Sequence, residues 1–513
     1  MSRVSLFWAA ALLALSAGAA ALPCSPLTFD EDSVVCVCNA TYCDTFPELT
    51  PPSGADVLVV TSSRGGDRFA VTSAQFGPEA CPPEWVTGVR VPQAETRQQV
   101  SGFGGAFTDA AGVNINSLSP EVQDQLLRAY FAEEGIRYKL GRVPIAGTDF
   151  SERPYSYDDN PGDESLEQFA LTEEDFLLKI PHILAARELA PDLQLFGSAW
   201  SAPAWMKTNN DFIGIGFLKT EYYQLWADYI VRFLEEYVAN GIPIQAITTQ
   251  NEPTNVLNSY GFWNTMAWTP EMQRDWVRDN LGPTIRGNAN FSDTKIIILD
   301  DQRILLPDWV NTILDDADAA QYVDAIGVHW YRDGDAPASL LTDTHKLHPN
   351  VPLIATEACE GSIFEKTVAL GAWPRADTYA ADILDDLNNW VTGWVDWNIA
   401  LDMTGGPNWA GNYVDSPIII DAHGDQFFKQ PMYYALGHLS VLLPHGTDIV
   451  AMEDPSDSLK GVVGLRADGQ TVVTLLNRAE EAQQVVVTDA TRGSVSLTLP
   501  ARSLTSVLYA TAD

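Results

Sequence analysis

The sequence predicts an α/β fold, a (β/α)8 TIM barrel with an accessory β-sandwich built from both ends of the chain. Eight short apolar runs alternate with amphipathic helical patterns through the middle of the 513 residues. Polar or aromatic residues follow these runs, as they do at the carboxyl ends of barrel strands. Both flanks consist of short strand-like runs joined by turns, which is typical of antiparallel sheets.

The eight predicted strands follow one another at the spacing of repeated strand–helix units. They lie near residues 100–106, 138–143, 193–198, 244–249, 295–299, 325–328, 352–356 and 391–397. One helix begins at Ser119, with a proline in its first turn and apolar residues at helical spacing. Another covers about 222–238. A third begins near Thr172, and its apolar side chains are Phe176, Leu177, Ile180, Ile183 and Leu184.

Two separate stretches predict the β-sandwich. Residues 447–513 contain five short strand-like runs, with Asp468-Gly469 as a hairpin signal between two of them. Residues 50–97 contain three more runs of the same kind. Together the two stretches predict one sandwich that joins the two ends of the chain.

The formal net charge of −38 limits the partners that the chain can bind. An acidic surface repels nucleic acid and does not favour unaided binding to anionic membranes. The charge fits use at acidic pH, where protonated carboxyls relieve the repulsion, and it equally fits plain solubility in a salty medium. The fifteen tryptophans favour a sugar-binding cleft, although core packing accounts for most of them.

Residues 1–20 are predicted to be a secretory signal peptide, with a basic start, an apolar stretch and small residues for cleavage. No later apolar run reaches the roughly 18 residues of a membrane span, so no transmembrane segment is predicted. Asn39 and Asn290 begin glycosylation sequons, which fit the same route.

Six cysteines are consistent with an oxidising compartment. After a signal peptide, a cluster of four favours two disulfides over a zinc site, and the sequence leaves three pairings open for Cys24, Cys36, Cys38 and Cys43. Cys81 and Cys359 remain, and Cys359 is predicted to be a free, buried thiol.

Two glutamates carry the predicted chemistry. Glu252 follows the fourth predicted strand within Asn-Glu-Pro, and Glu357 ends the seventh. Glycoside hydrolysis needs two carboxyl groups that face one glycosidic bond. An acid/base on strand four and a nucleophile on strand seven is the arrangement of retaining barrel glycosidases, so we expect the carboxyl groups to lie roughly 5–5.5 Å apart.

Other side chains at the strand ends have competing interpretations. Arg142 is either a hydrogen-bond partner that keeps Glu357 ionised or part of a structural salt bridge within the barrel, and the sequence favours neither interpretation. His329 is predicted to face the cleft rather than the core. Asn251 can donate to a sugar 2-hydroxyl.

Three residues are predicted to bound the sugar pocket, against the alternatives of a helix cap or core packing: Asp149, Trp200 and Trp397. Two acidic pairs are interpreted as solvated or salt-bridged carboxylates rather than metal ligands, because no histidine cluster accompanies them: Asp158-Asp159 and Asp300-Asp301. No metal and no cofactor are predicted.

At these residues the chain resembles the glucosylceramidases of glycoside hydrolase family 30, along almost the whole mature sequence. The motifs that carry the resemblance are Val34-Val35-Cys36-Val37-Cys38-Asn39-Ala40-Thr41-Tyr42-Cys43, Gly102-Phe103-Gly104-Gly105-Ala106, Asn251-Glu252-Pro253, Leu299-Asp300-Asp301-Gln302-Arg303 and Gly405-Gly406-Pro407-Asn408-Trp409. The resemblance implies that Glu252 is the acid/base and Glu357 the nucleophile. It implies glucose or cleft contacts at Asp149, Trp200, Asn251, Trp397, Asn412, Tyr260, Gln302, His329 and Tyr331.

The resemblance also implies an architecture and partners. It pairs Cys24 with Cys36 and Cys38 with Cys43, within a small β-subdomain of residues 21–49 and 399–430. The sandwich then takes 50–97 with 447–513, and the barrel takes 98–398 with 431–446. Family members of this kind work in acid, in the lysosome, with the activator saposin C and anionic lipid.

These observations predict a retaining β-glucosidase that cleaves glucosylceramide. The chain departs from that expectation at the lip after Tyr331, which reads Arg332-Asp333-Gly334-Asp335 and is polar for a surface that meets ceramide. The alternatives are a secreted hydrolase of other β-glucosides or β-1,6-glucans, and a catalytically inactive sugar- or lipid-binding protein.

Overall fold

The computed structural model describes residues 21–50, 52–79, 86–92, 96–258 and 261–511. Eight parallel strands form a closed barrel, and the eighth pairs with the first through Gly393 and Gly102. From first to eighth, the barrel strands are Gly102–Ala106, Leu140–Ile145, Gln194–Ala199, Ala246–Thr248, Lys295–Gln302, Ala325–His329, Leu353–Glu357 and Val391–Asn398. The predicted fold class is confirmed. The predicted signal peptide, Cys81 and Tyr260 lie outside the described residues.

Helices surround the barrel. In the described part of the chain the α-helices are Asp109–Asn116, Pro120–Phe131, Ile180–Leu189, Tyr223–Ala239, Pro270–Trp276, Gly282–Gly287, Asp308–Leu314, Ala317–Ala320, Ser339–Leu347, Trp373–Leu387 and Pro431–Leu442. None of the helices in these ranges is long and apolar enough to cross a membrane.

The helix predicted near Thr172 differs from its sequence pattern. It begins with a π-helical turn, Asp175–Lys179, before the regular helix Ile180–Leu189. A π-turn holds one more residue than an α-turn and rotates the faces that follow. The turn buries Asp175 and Lys179 as an ion pair of 2.8 Å, while Phe176 and Leu177 are 48% and 59% exposed. The predicted apolar face is therefore wrong for these two residues and for the exposed Leu184.

A small five-stranded sheet joins the first described residues to a late part of the chain. Its order is Pro26–Thr28, Val34–Asn39, Gln426–Lys429, Ile418–Asp421 and Leu401–Asp402. Disulfides link Cys24 to Cys36 and Cys38 to Cys43, the pairing that the resemblance implies. Cys359 is free and buried, as predicted.

The β-sandwich takes strands from both ends of the chain. One sheet has the order Asp448–Val450, Leu459–Leu465, Gln470–Asn477, Ser503–Ala510, Asp56–Ser63 and Ala70–Gln75. A second sheet consists of Gly493–Leu499, Gln483–Asp489 and Thr87–Arg90. Alternate valines and leucines of the two sheets form one apolar core. The residue boundaries predicted between the three regions remain a prediction.

The barrel interior changes from apolar to polar along the strands. Leu140, Phe196, Ala246 and Ala325 pack together near the amino ends of their strands. Close strand contact requires glycine in the first strand, because a Cβ at Gly104 would collide with the Leu140 carbonyl. At the carboxyl ends the interior holds charged side chains, and these form the candidate site.

Candidate active site

The two predicted glutamates meet at the carboxyl end of the barrel. Glu357 is the last residue of the seventh strand, and Glu252 follows the fourth. Both are buried, and one carboxylate oxygen of each lies within 4.8 Å of the other. Glu252 has a φ of 40°, a left-handed backbone conformation that costs about 1–3 kcal/mol and is held by its surroundings.

His329 lies between the two glutamates, completely enclosed. Its Nδ1 is 3.2 Å from Glu252 Oε1 and 3.9 Å from Glu357 Oε1, and its Nε2 is 2.9 Å from Asp300 Oδ1. Burial alone lowers the pKa of His329, but the Glu357 and Asp300 carboxylates outweigh burial and raise the pKa to about 10. Both ring nitrogens therefore carry protons, and His329 is a cation in the site.

Arg142 is a second cation in the site, and it contacts Glu357. One guanidinium nitrogen is 3.0 Å from Glu357 Oε2, and the other is 2.9 Å from Asp300 Oδ2. The same side chain donates to Asn251 Oδ1 at 2.7 Å. Arg142 thus contacts Glu357 and also forms a salt bridge inside the barrel, and its role in keeping Glu357 ionised remains a prediction.

Asp300 connects the two cations, and the sequence did not single it out for this role. It is fully buried, and it accepts from Arg142, His329, Ser198 and Thr356. Burial raises its pKa, but Arg142 and His329 together lower the pKa well below its usual range. Asp300 is an ionised anchor that fixes both cations.

Two amides hold the carboxylate of Glu252. Gln302 Nε2 donates to Oε1 at 2.8 Å, and Asn255 Nδ2 donates to Oε2 at 2.6 Å. Asp301 lies beside them and accepts from the Thr254 backbone and hydroxyl. Burial, and then the charge of Glu252, raise the pKa of Asp301 to about 6. Gln302 thus contacts Glu252 directly, and Asn255 is a contact that no sequence signal indicated.

Glu357 has its own set of partners. The Tyr331 hydroxyl donates to Glu357 Oε1 at 2.7 Å and lies 3.4 Å from the Cys359 sulfur. Burial, together with the charge of Glu252, leaves the pKa of Glu357 raised, although His329, Arg142 and the Tyr331 hydroxyl oppose that rise. The surroundings of Glu357 are thus mostly cations and donors, which stabilise a carboxylate.

A further polar group borders the two glutamates on the side of the second and eighth strands. Asn412 and Asn408 donate to Asp149 Oδ2 at 2.9 and 3.2 Å. Burial outweighs these donors and raises the pKa of Asp149 to about 7. Trp200 and Trp397 stack on each other, with ring centroids 4.9 Å apart, and both face the Arg142 guanidinium. Asn408 is a contact within the quoted Gly-Gly-Pro-Asn-Trp motif that the predicted residues omit.

Some polar residues at the strand ends lie outside this group. Asp109 accepts from Ser151 and Tyr155 and pairs with Lys179, and Asp396 accepts from Tyr379. Asn290 is exposed and Asn39 is half-buried, so the two sequons remain predictions.

Among the residues that the structure describes, three sets of side chains bring metal-binding atoms close together. Cys38 and Cys43 are already joined in a disulfide. In the set around His329, both ring nitrogens already contact carboxylates. The third set consists of carboxyls alone: Asp333, Asp382 and Asp386.

These three carboxyls, here called the acidic cluster, surround Arg303. Arg303 lies 2.7 Å from Asp333, 3.4 Å from Asp386 and 4.0 Å from Asp382. Burial and then the Asp382 charge raise the pKa of Asp333 to about 9, and burial raises the pKa of Asp382 and Asp386. The acidic cluster joins the loop of Tyr331 to the helix Trp373–Leu387.

Comparison with known proteins identifies the family. Residues 100–443 match the glycosyl hydrolase family 30 TIM-barrel domain, and residues 448–507 match the family's β-sandwich domain. The chain belongs to glycoside hydrolase family 30. The lysosomal acid glucosylceramidase of Mus musculus is 44% identical over 500 residues, which cover 95% of this chain and 96% of that protein.

Two solved structures are similar to this family 30 chain. SrfJ from Salmonella typhimurium has 28% identity and a TM-score of 0.82, over 89% of this chain and 100% of that one. The endo-β1,6-glucanase BT3312 has 26% identity and a TM-score of 0.78, over 90% and 100%. Family membership and these relatives make the protein a glycosidase.

Proposed function

We propose that this family 30 glycosidase is a retaining β-glucosidase that hydrolyses glucosylceramide to glucose and ceramide. The observation that carries the mechanism is the approach of the Glu252 and Glu357 carboxylates to within 4.8 Å. Retaining enzymes hold their carboxyl groups about 5–5.5 Å apart, while inverting enzymes leave about 6.5–9.5 Å for a water molecule. The short separation favours retention.

The surroundings of each glutamate support separate roles. Arg142 and Tyr331 contact the oxygens of Glu357, which favours an ionised nucleophile. In the first step a Glu357 oxygen bonds to the anomeric carbon while the glycosidic C–O bond breaks. Glu252 gives its proton to the departing ceramide oxygen, so ceramide leaves as a neutral alcohol.

The second step reverses these roles. Glu252, now a carboxylate, takes a proton from water as the water oxygen bonds to the anomeric carbon. The ester bond to Glu357 breaks, and the nucleophile leaves as a carboxylate. Two inversions at one carbon give β-glucose as the first product.

The group around Asp149 supports a glucose pocket. Asn412 and Asn408 hold the Asp149 carboxyl in place, and a carboxyl group can form hydrogen bonds with two neighbouring sugar hydroxyls. Because Arg142 donates to Asn251 Oδ1, the amide nitrogen of Asn251 is the end that can reach a sugar hydroxyl. We assign Trp200 and Trp397 to the pocket wall.

Exposed apolar side chains at the mouth of the barrel support a lipid leaving group. They lie in the segments that follow five different barrel strands: Ile213, Ile215, Leu257, Phe262, Tyr331, Ile363, Phe364 and Met403. Phe364 is 83% exposed and Phe262 63% exposed. Large apolar side chains gathered at one opening are typical of surfaces that meet lipid.

The polar lip conflicts less with this proposal than its sequence suggests. Arg332 and Asp335 pair with each other at 3.1 Å, and Asp333 turns inward to Arg303, with 16% of its side chain exposed. Most of the lip charge is thus balanced locally. We further propose that the enzyme acts in the lysosomal lumen, at anionic lipid and with an activator similar to saposin C.

A second candidate is hydrolysis of β-1,6-glucans by a secreted enzyme. The similarity to the endo-β1,6-glucanase BT3312 favours it. Measuring kcat/KM at about pH 5 on glucosylceramide in anionic vesicles and on a soluble β-1,6-glucan decides between the two. Faster turnover of the glucan refutes the lipid assignment.

The catalytic assignment has a direct test. The Glu357→Gln variant should lose at least about a thousandfold in kcat, because an amide cannot form the ester intermediate. Glu365→Gln, a change in the same loop, is the matched control. The anomer first released, followed by NMR, should be β-glucose. Near-normal turnover by Glu357→Gln would refute the assignment of Glu357 as nucleophile. Release of α-glucose as the first product would refute the retaining mechanism.

A further inference from the structure

Asn255 lies three residues after Glu252 and turns back toward it. Its backbone N–H donates to the Glu252 carbonyl at 3.0 Å, and its side-chain Nδ2 donates to Glu252 Oε2 at 2.6 Å. Both side chains are buried. The amide nitrogen has to face the carboxylate, because two acceptor oxygens at this distance would repel each other.

The other donors leave a clear position for the proton of Glu252. Oε1 already faces two donors, Gln302 Nε2 at 2.8 Å and His329 Nδ1 at 3.2 Å. Oε2 faces Asn255 alone among the described residues. A carboxylate oxygen has two lone pairs, and no donor among the described residues occupies the second lone pair of Oε2, which can carry the proton.

From this geometry we propose that Asn255 is a positioning residue for proton transfer by Glu252. Its amide fixes one lone pair of Oε2 and thereby aims the other, which carries the proton, at the glycosidic oxygen. It also stabilises the carboxylate that remains when the proton leaves. The proposal rests on the acid/base role of Glu252 given under the proposed function.

Two substitutions test whether Asn255 acts as a hydrogen-bond donor or only fills space. Asn255→Ala removes the donor, and Asn255→Asp keeps the shape but replaces the donor with an acceptor. A donor stabilises an ionised carboxylate more than a neutral one. The alkaline limb of kcat/KM should therefore move up by roughly 0.5–1 pH unit in Asn255→Ala, and further in Asn255→Asp.

Leaving-group dependence gives a second readout. An alkyl β-glucoside needs its leaving oxygen protonated, whereas a 2,4-dinitrophenyl β-glucoside does not. The alkyl substrate should lose about tenfold or more in kcat/KM and the dinitrophenyl substrate less than about twofold, because general acid catalysis contributes 10²–10⁴-fold. KM should change little, since Asn255 acts through Glu252. Asn160→Asp, at an exposed residue, controls for added charge.

Rates are normalised to the sites that a 2-fluoroglucoside traps, so loss of folded enzyme does not imitate the effect. An unshifted alkaline limb in both variants, or equal losses on the two substrates, overturns the proposal. Asn255→Asp with the wild-type profile would show a space-filling role and overturn it too. Failure of the proposed function is distinguishable, because Glu357→Gln would then remain active.

Discussion

Raising the pH should weaken the fold through the acidic cluster, and Asp386→Asn should reduce this effect. Three carboxyls face one guanidinium, with Asp333 closest to Arg303 at 2.7 Å. One guanidinium balances one carboxylate. Two of the three carboxyls therefore hold protons in the folded protein, and these protons are shared among all three side chains, whose pKa is raised in each case.

The size of the effect follows from proton linkage. An aspartate in an unfolded chain has a pKa of about 3.9, and the pKa of Asp333 is about 9. A raised acid pKa stabilises the fold fully below the unfolded pKa, and this stability is lost as pH rises toward the folded value. Each retained proton lowers the unfolding free energy by about 1.4 kcal/mol per pH unit within that window. Between pH 5 and 8 this amounts to about 4 kcal/mol for a proton whose folded pKa is about 9.

The assay is urea denaturation at pH 5, 6, 7 and 8. Asp386→Asn leaves two carboxyls for one arginine, so the cluster retains one proton instead of two. The unfolding free energy of this variant should fall less steeply, by about 1.4 kcal/mol per pH unit. Asp343→Asn removes the same charge at an exposed residue paired with Lys346 and is the control. Equal slopes in Asp386→Asn and wild type, or an equal change in Asp343→Asn, would refute this reasoning.

Two further outcomes follow from the site and its rim. Asp300→Asn should cost about 3 kcal/mol of unfolding free energy in urea and about a hundredfold in kcat/KM, because it removes the anion that Arg142 and His329 share. Unchanged kinetics would contradict that anchoring role. Phe262→Ser with Phe364→Ser should weaken vesicle binding, measured by co-sedimentation, by about tenfold or more, while turnover of a soluble aryl glucoside stays near normal. Equal losses in both assays would count against a lipid-facing rim.

Much of the barrel and of the candidate site at its carboxyl end could be predicted because the signals are local. Each strand is a short apolar run with a reactive residue at its carboxyl end, so Glu252, Glu357 and His329 could be assigned to one edge. These side chains meet because the barrel closes, and the number of predicted strands is enough to predict that closure.

The parts that escaped prediction depend on distant contacts. In the sequence, Asp300 is one of two adjacent acidic residues, and only the fold brings Arg142 and His329 into contact with it. Asp386 reads as the polar face of a helix, although it is buried against Arg303. The π-turn at Asp175–Lys179 leaves no periodic signal, because an ion pair rather than apolar spacing decides which side it buries.

The order of strands in the sandwich bears on how the protein is made. The last strand, Ser503–Ala510, lies between Gln470–Asn477 and Asp56–Ser63, in the interior of its sheet. During synthesis, more than four hundred residues therefore follow the early strand Asp56–Ser63 before this partner strand is made. A chain that stops before Ser503 contains every residue of the candidate active site but lacks this interior strand. We expect the ribosome to release such a chain with an open sheet, exposed to quality control before it can reach any substrate.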